Sequence, residues 1–332
     1  MKNAIYIETE GKRLRATNQS LIIESIDKAD LDIPLIDIDS LIIKGGTTLT
    51  SHSILKIIEY GITITFLDYY GNYSCSICSD IMGNVEVRHN QLRLSDDKHR
   101  SLQLASVIIQ GKISNQIAVL KRYIRNYGGN KEINTSTDRL YAYRDNIKDA
   151  TSIEAIRGYE GISSREYFST FNLLIRRKEF KFNGRVYHPC TDSINAMLSF
   201  TYGLLRHEVE KYIHICGLDP YVGFIHSERS GKKSLSLDLM EEYRAYLADR
   251  IVITSINNRE VDINDFEIDA RYGVVCNSDC RSKMIKSWES KKRQSLLYNG
   301  KNITYSDLIH NQVRLLVKHI KGVDTYRPFI WR

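Results

Sequence analysis

Two hydrophobic periods divide the chain. Up to about residue 85, apolar and polar positions alternate in short β-branched runs at 4–8, 13–17, 21–23, 33–38 and 41–43, separated by Gly11, Asn18 and Pro34. Such runs predict strands. Residues 51–60 interrupt them with Ile54, Leu55, Ile57 and Ile58 on one side, which predicts a short helix. Strands resume at 62–67 and 73–78 around a turn at 68–71. After Val85 the period lengthens to about 3.6. Leu102, Ala105, Ile109, Ile113, Ile117, Leu120 and Ile124 predict one long helix over 97–126. A polar stretch, 128–137, separates it from helices expected over 138–148, 152–177, 192–216 and 235–250, with an Asn183-Gly184 turn on the way. The last helix opens at Thr304, with Asp307 placed for a capping box. The expected class is α+β: a small β-rich domain over 1–85, then a large helical domain over 86–332.

Composition narrows the class. Of 332 residues, 42% are hydrophobic, 26% charged, and only 19 are Gly and 4 Pro, which suits a globular chain with a real core and excludes a low-complexity one. No apolar run approaches the roughly 18 residues of a membrane span. Ile5 and Ile7 alternate with polar neighbours and Glu8 and Glu10 follow, a strand pattern rather than a signal peptide, so a cytoplasmic protein is expected. Six cysteines in such a compartment are not a disulfide framework. Cys75 and Cys78 form a CxxC, yet positions three apart on a strand point to opposite faces, and Cys276/Cys280 has another spacing. Net charge is +7, and residues 271–332 carry 13 basic against 4 acidic side chains, while the remainder has 34 basic against 36 acidic. That concentration suits a polyanion, or a set of solvated helices.

There is no Gly-rich phosphate loop and no Gly-x-Ser-x-Gly elbow. What remains is a set of carboxylates and one imidazole. Glu160 sits among Gly158, Gly161, Ser163 and Ser164. Helical glycines cost about 1 kcal/mol each relative to Ala, so they either make room for a metal, water or backbone, or allow close helix packing. His226 ends the apolar approach Gly223-Phe-Ile and is either a hydrogen-bonded structural residue or a ligand. The following loop carries Arg229, Lys232 and Lys233, a solvated connection or a phosphate contact. Asp238 and Glu241 share one face of the next helix, where acidic residues also favour the helix N-terminus. Glu, His and Glu/Asp from separate elements would make a mixed oxygen and nitrogen site suited to Mg²⁺ or Mn²⁺.

At these residues the chain resembles the CRISPR-associated integrase family, the catalytic subunit of spacer acquisition. The matching stretches are Arg157-Gly-Tyr-Glu-Gly161, Gly217-Leu-Asp-Pro-Tyr-Val-Gly-Phe-Ile-His226 and Ser236-Leu-Asp-Leu-Met-Glu-Glu242. They are joined by Lys44-Gly-Gly46, Gly61-Ile-Thr-Ile-Thr-Phe-Leu-Asp68, Gly111-Lys-Ile-Ser-Asn-Gln116, Asp192-Ser-Ile-Asn-Ala196 and Tyr326-Arg-Pro-Phe-Ile-Trp-Arg332. The likeness runs almost end to end in one order.

The resemblance implies a β-sandwich-like N-terminal domain, an all-α catalytic domain, a homodimer, and a small CRISPR-associated partner protein that bridges two dimers. It places metal ligands on Glu160, His226 and Glu241, with Asp238 as a supporting acid. Lys112 and Asn115 are read as packing residues of the long helix. The segment 326–332 either packs or meets a partner. The implied activity is metal-dependent endonuclease and integrase chemistry. The 3′-hydroxyl of an incoming DNA fragment attacks a phosphodiester of a CRISPR repeat, with Mg²⁺ or Mn²⁺ stabilising charge on its oxygens. His226 must be neutral to bind metal, so activity should fall in acid. Double-stranded or branched DNA would be held by Arg165, Arg229, Lys232, Lys233, Lys291, Lys292 and Arg293. The same residues allow two other readings: a structure-selective nuclease or branched-DNA resolvase without integration, and a catalytically silent DNA-binding scaffold.

Overall fold

The computed structural model describes residues 3–7, 11–25, 28–67, 73–78, 85–226 and 229–331. Its contacts divide the chain into two units, Met1–Ile81 and Met82–Arg332. The first is β-rich and the second largely helical. The turn expected at 68–71 lies outside the described residues.

In the first unit the strands are β1 (Asn3–Ile7), β2 (Arg13–Ala16), β3 (Ser20–Ser25), β4 (Lys28–Pro34), β5 (Ile38–Lys44), β6 (Thr48–Leu49), β7 (Thr63–Leu67) and β8 (Tyr73–Ile77). They form two four-stranded sheets, ordered β1-β5-β7-β8 and β4-β3-β2-β6. The strands β1, β5 and β7 run parallel, which explains the continuous burial of Leu41, Ile42 and Ile43 in β5. One core joins Ile7, Leu14, Leu21, Leu41 and Ile64 from both sheets with Ile57 of helix α1 (Ser51–Glu59), so the layers face each other as a sandwich. Residues 33–38 are not one strand. Pro34 has no N–H to continue a ladder and ends β4, and a 3₁₀ turn, Leu35–Asp37, precedes β5. Cys75 and Cys78 are exposed and not joined by a disulfide.

In the second unit the long helix α3 (Lys98–Tyr127) follows α2 (Val85–Asp96) and is capped by Asp97, which accepts from the amides of His99 and Arg100. From Ile108 to Ile117 it is buried almost all round, because α4 (Lys131–Asn146), α5 (Ile153–Ser169) and α8 (Ser234–Tyr243) pack on different sides of it. The helix expected at 138 starts seven residues earlier, since the Asn130 side chain caps it. The helix expected over 152–177 ends at Ser169, followed by the short α6 (Phe171–Leu174) and, after a connection, by α7 (Ser193–Ile215). The run expected over 235–250 is α8, then a six-residue π-helical turn, Arg244–Asp249, then α9 (Arg250–Asn257).

This unit is not all-α. It contains two hairpins, β9 (Phe266–Asp269) with β10 (Gly273–Cys276) and β11 (Ser295–Tyr298) with β12 (Lys301–Thr304), around α10 (Ser278–Arg293). Four-residue strands are too short to show a period. The last helix, α11 (Tyr305–Ile320), has the capping box expected at Thr304 and Asp307.

The segment 325–331 is docked on α3 and α8. Asn115 Nδ2 donates to the carbonyls of Glu242 and Phe329, both at 2.8 Å, and its Oδ1 accepts from the Trp331 amide at 2.8 Å. Pro328 lies so close to α3 that a Cβ on Gly111 would stand 2.4 Å from it, which requires glycine there. Asn115→Ala strands two buried backbone carbonyls and one part-buried amide at about 1 kcal/mol each, so urea unfolding should show a loss of about 2–3 kcal/mol. A loss below about 0.5 kcal/mol would mean that other contacts hold the segment.

Candidate functional site

Three helices bring charge to one point. Lys112 enters from the buried face of α3, Glu160 from α5 and Glu241 from α8. The Lys112 ammonium bridges the two acids, touching Glu160 Oε1 and lying 2.7 Å from Glu241 Oε2. Ser164 donates to Glu160 Oε1 at 2.9 Å, and Arg244, at the start of the π-helical turn, reaches Glu241 Oε1 at 3.1 Å. Burial works against the charges here, and the pairing overcomes it. Desolvation would raise the Glu160 carboxyl, but the charge and hydrogen bond of Lys112 hold it down at about 2. Desolvation would lower Lys112, and Glu241 and Glu160 raise it instead. The cluster is therefore two carboxylates against two cations.

Gly158 and Gly161 are not packing sites, since a Cβ on either would meet nothing within 4 Å. The room at Gly161 opens beside Glu160 onto a cleft of about 590 Å³, lined also by Ser164, Arg165, Asn172 and Arg185. Two further polar atoms at its wall, Gln116 Oε1 and Arg244 Nε, are buried without a hydrogen-bond partner. Glu241 Oε2 also accepts no well-directed hydrogen bond, despite the nearby ammonium.

His226 is set differently. Asp238 is fully buried, and its carboxylate accepts the backbone amides of Phe224, Ile225 and His226 at 2.6, 2.9 and 3.0 Å. It also lies 2.6 Å from His226 Nδ1. Gly223 permits this wrap, because a Cβ there would stand 2.8 Å from the Asp238 carboxylate. With Nδ1 engaged by the acid, the tautomer assigned by this bonding leaves the Nε2 lone pair for another partner. Two carboxylates and an imidazole are the donor chemistry of a Mg²⁺ or Mn²⁺ site. As they stand, however, no three such side chains among the described residues are close enough to hold one ion. The acids share a cation position that Lys112 fills, and His226 is paired with Asp238.

The basic residues divide as well. Arg165 is exposed at the cleft, and Arg229 is exposed in its loop. Lys232 is half-buried, and burial, then the Arg229 charge, pushes its ammonium down. Lys233 is paired with Glu210, so it does not present a free charge. Lys292 is buried between Glu208 at 3.1 Å and Glu289 at 2.9 Å, which removes it from any outside surface. Arg293 is exposed and near Glu289, and Lys291 is half-buried over the Tyr305 ring.

Sequence reasoning missed Lys112 and Arg244. The signal for Lys112 was present: it follows Ile108 and precedes Gln116 at i+4 spacing on a buried helix face, where an unpaired lysine is costly.

Known proteins share the fold. A largely helical unit following a β-sandwich is also the architecture of a solved casposase bound to integration product, which is 25% identical over 100% of this chain and 95% of that one, with a TM-score of 0.88. A Cas1 protein from Thermotoga maritima has the same fold, at a TM-score of 0.87 and 20% identity, covering 98% of this chain and 100% of that one. Residues 5–290 match the family model described as CRISPR associated protein Cas1, and the chain belongs to that family. Similar curated proteins are named CRISPR-associated endonuclease Cas1 1. The one from Chlorobaculum tepidum is 31% identical over 99% of this chain and 98% of its own, and that from Moorella thermoacetica 32% over the same shares.

The neighbour of Glu241 supplies a pH test. Glu242 is buried and accepts from the Tyr326 hydroxyl at 2.6 Å, the Phe329 amide at 3.0 Å and Gln312 at 3.3 Å, with no cation among these partners. Burial outweighs those hydrogen bonds and raises its carboxyl from 4.5 to about 7. The folded chain thus keeps a proton that the unfolded chain has lost, so stability should fall as pH rises through that window, by roughly 3 kcal/mol. Glu242→Gln should flatten this part of the stability profile in urea titrations. An unchanged slope would assign it to other groups.

Proposed function

We propose that this protein is a divalent-metal-dependent DNA endonuclease and integrase that joins the 3′-OH ends of foreign DNA fragments into a CRISPR repeat array by phosphodiester transesterification. One observation carries this reading: carboxylates from two separate helices turn onto a single buried cation position at the wall of an open cleft. The endonuclease names of the relatives and the casposase's integration product support it. One exchange of phosphodiesters needs no nucleotide, which agrees with the lack of a phosphate loop in the sequence.

Glu160, Glu241 and His226 would hold Mg²⁺ or Mn²⁺, which supplies a Lewis acid for the target phosphate and for a 3′-hydroxyl or water nucleophile. The residues of the chain prepare that chemistry. Asp238 orients the imidazole. Lys112 neutralises the two carboxylates, and Arg244 keeps one Glu241 oxygen fixed. Arg165 and Arg229 meet DNA phosphates. A homodimer and a small second CRISPR-associated protein complete the assembly. A solved Cas6-RT-Cas1–Cas2 complex supports that second partner: 99% of this chain matches 36% of one of its chains, at 22% identity and a TM-score of 0.83.

With labelled 3′-OH duplex ends and Mn²⁺, the wild type should both cleave and join. Glu160→Gln should lose about 100-fold or more of each while binding DNA within about twofold. Cleavage without joining would narrow the function to a nuclease, and full activity of the variant would remove Glu160 from the mechanism.

Lys112→Met leaves the buried Glu241 and the half-buried Glu160 without their shared cation, which should cost about 3 kcal/mol in the absence of divalent ions. Adding Mn²⁺ should raise the Tm of this variant more than that of the wild type. Equal shifts would show that ammonium and metal do not compete for one position.

A further inference from the structure

Another group of cations in the helical unit meets no carboxylate among the described residues. Arg122 on α3 and Arg250 at the start of α9 both lie over the Trp331 ring, 5.0 and 4.7 Å from its centroid. Lys291, near the end of α10, lies 4.8 Å from the centroid of Tyr305. Tyr246 joins the two rings, 4.5 Å from Trp331 and 5.5 Å from Tyr305. One aromatic wedge therefore carries three positive charges, all half-buried. Among the described residues none of the three forms an ion pair, and Lys291 donates only to the Gln294 amide oxygen, at 2.9 Å. By contrast, the buried cations Lys112, Lys211 and Lys292 each meet a carboxylate.

The mutual repulsion is visible in the charges themselves. Burial, then the charges of Arg250 and Arg122, push the Lys291 ammonium down to about 8. Burial lowers Arg250 as well, with Arg122 adding to it. Ring faces return only about 0.5–1 kcal/mol for each exposed cation. Among the described residues no anion balances these charges.

Its shape indicates which kind. Two hollows meet at Arg250 and Thr254. The first, about 290 Å³, is lined by Arg122 and Arg176 and by no acid. The second, about 670 Å³, is lined by Lys286 and Lys291, and its one acid, Glu260, already accepts from the Ser255 and Ser287 hydroxyls at 2.9 Å. Neither shares a lining residue with the cleft at Glu160. The cations are spread over two adjoining hollows, Arg122 and Arg176 in one, Lys286 and Lys291 in the other and Arg250 common to both, which matches a polymer of repeated charge better than a single phosphate.

We propose that the Arg122–Arg250–Lys291 groove is a second anion site, separate from the Lys112 cleft, that takes successive phosphodiester groups of a nucleic-acid backbone. Trp331 serves as its platform, pinned through its amide by Asn115.

Two measurements on the full-length protein test this. In the first, binding of a fluorescent duplex of about 30 base pairs is followed from low to high salt. Each phosphate contact contributes about 0.9 to the slope of log affinity against log salt. Arg122→Gln/Arg250→Gln/Lys291→Gln should therefore reduce the slope by about 2 to 3, and a slope equal to that of the wild type overturns the proposal. The second uses unaltered protein, so a folding defect in the variant cannot mislead. Acylation at about pH 8 should mark Lys291 early among the lysines, and bound duplex should protect it about fivefold or more. An unprotected Lys291 on DNA-bound protein overturns the proposal, as does protection by tripolyphosphate but not by duplex. Failure of cleavage and joining with Lys291 still protected would sink the integrase reading and leave this one standing. An unprotected Lys291 in an active enzyme would do the reverse.

Discussion

The ammonium of Lys112 is the hinge of the helical unit's electrostatics. It lies deep in the longest helix, and without it two carboxylates from two other helices would face each other across a poorly solvated gap. Coulomb attraction at such short range outweighs the desolvation of Lys112 and Glu160, and the direction in which these two titrate follows from that balance. The same pairing fixes α5 and α8 against α3. Packing and candidate chemistry are therefore one arrangement here, and a residue read at first as helix filling is the counter-ion of the site.

Much of the architecture was legible because it rests on period and on caps. The switch after Val85, the long run of Leu102 to Ile124, and the Thr304 with Asp307 start all follow from spacing that survives burial. What escaped was set by single side chains or by pairing across distance. The Asn130 side chain opens α4 inside a stretch that reads as polar linker, and Pro34 splits one apparent strand. The two hairpins of the second unit rest on pairing between four-residue strands, which have too few positions to show alternation.

The site was legible in its residue types and less so in its geometry. Glu160, His226, Asp238 and Glu241 stood out by their neighbours, and Gly158 and Gly161 prove to leave open space rather than close a helix contact. Charge counting could not separate Lys292, locked between Glu208 and Glu289, from Lys291 one residue earlier, which faces a groove. Adjacent helical residues point about 100° apart. Only the fold decides which of them meets an acid.

The π-helical turn between α8 and α9 has a consequence for how this chain can vary. It sits between Glu241, which belongs to the Lys112 cluster, and Arg250, which belongs to the groove. Deleting a single residue within 244–249 to restore ordinary helix would turn everything downstream by roughly a quarter of a revolution. Arg250 would swing off the indole of Trp331 while Glu241 kept its place. The wide turn thus acts as a phase setter between two surfaces, and its length constrains the chain as firmly as any residue in it.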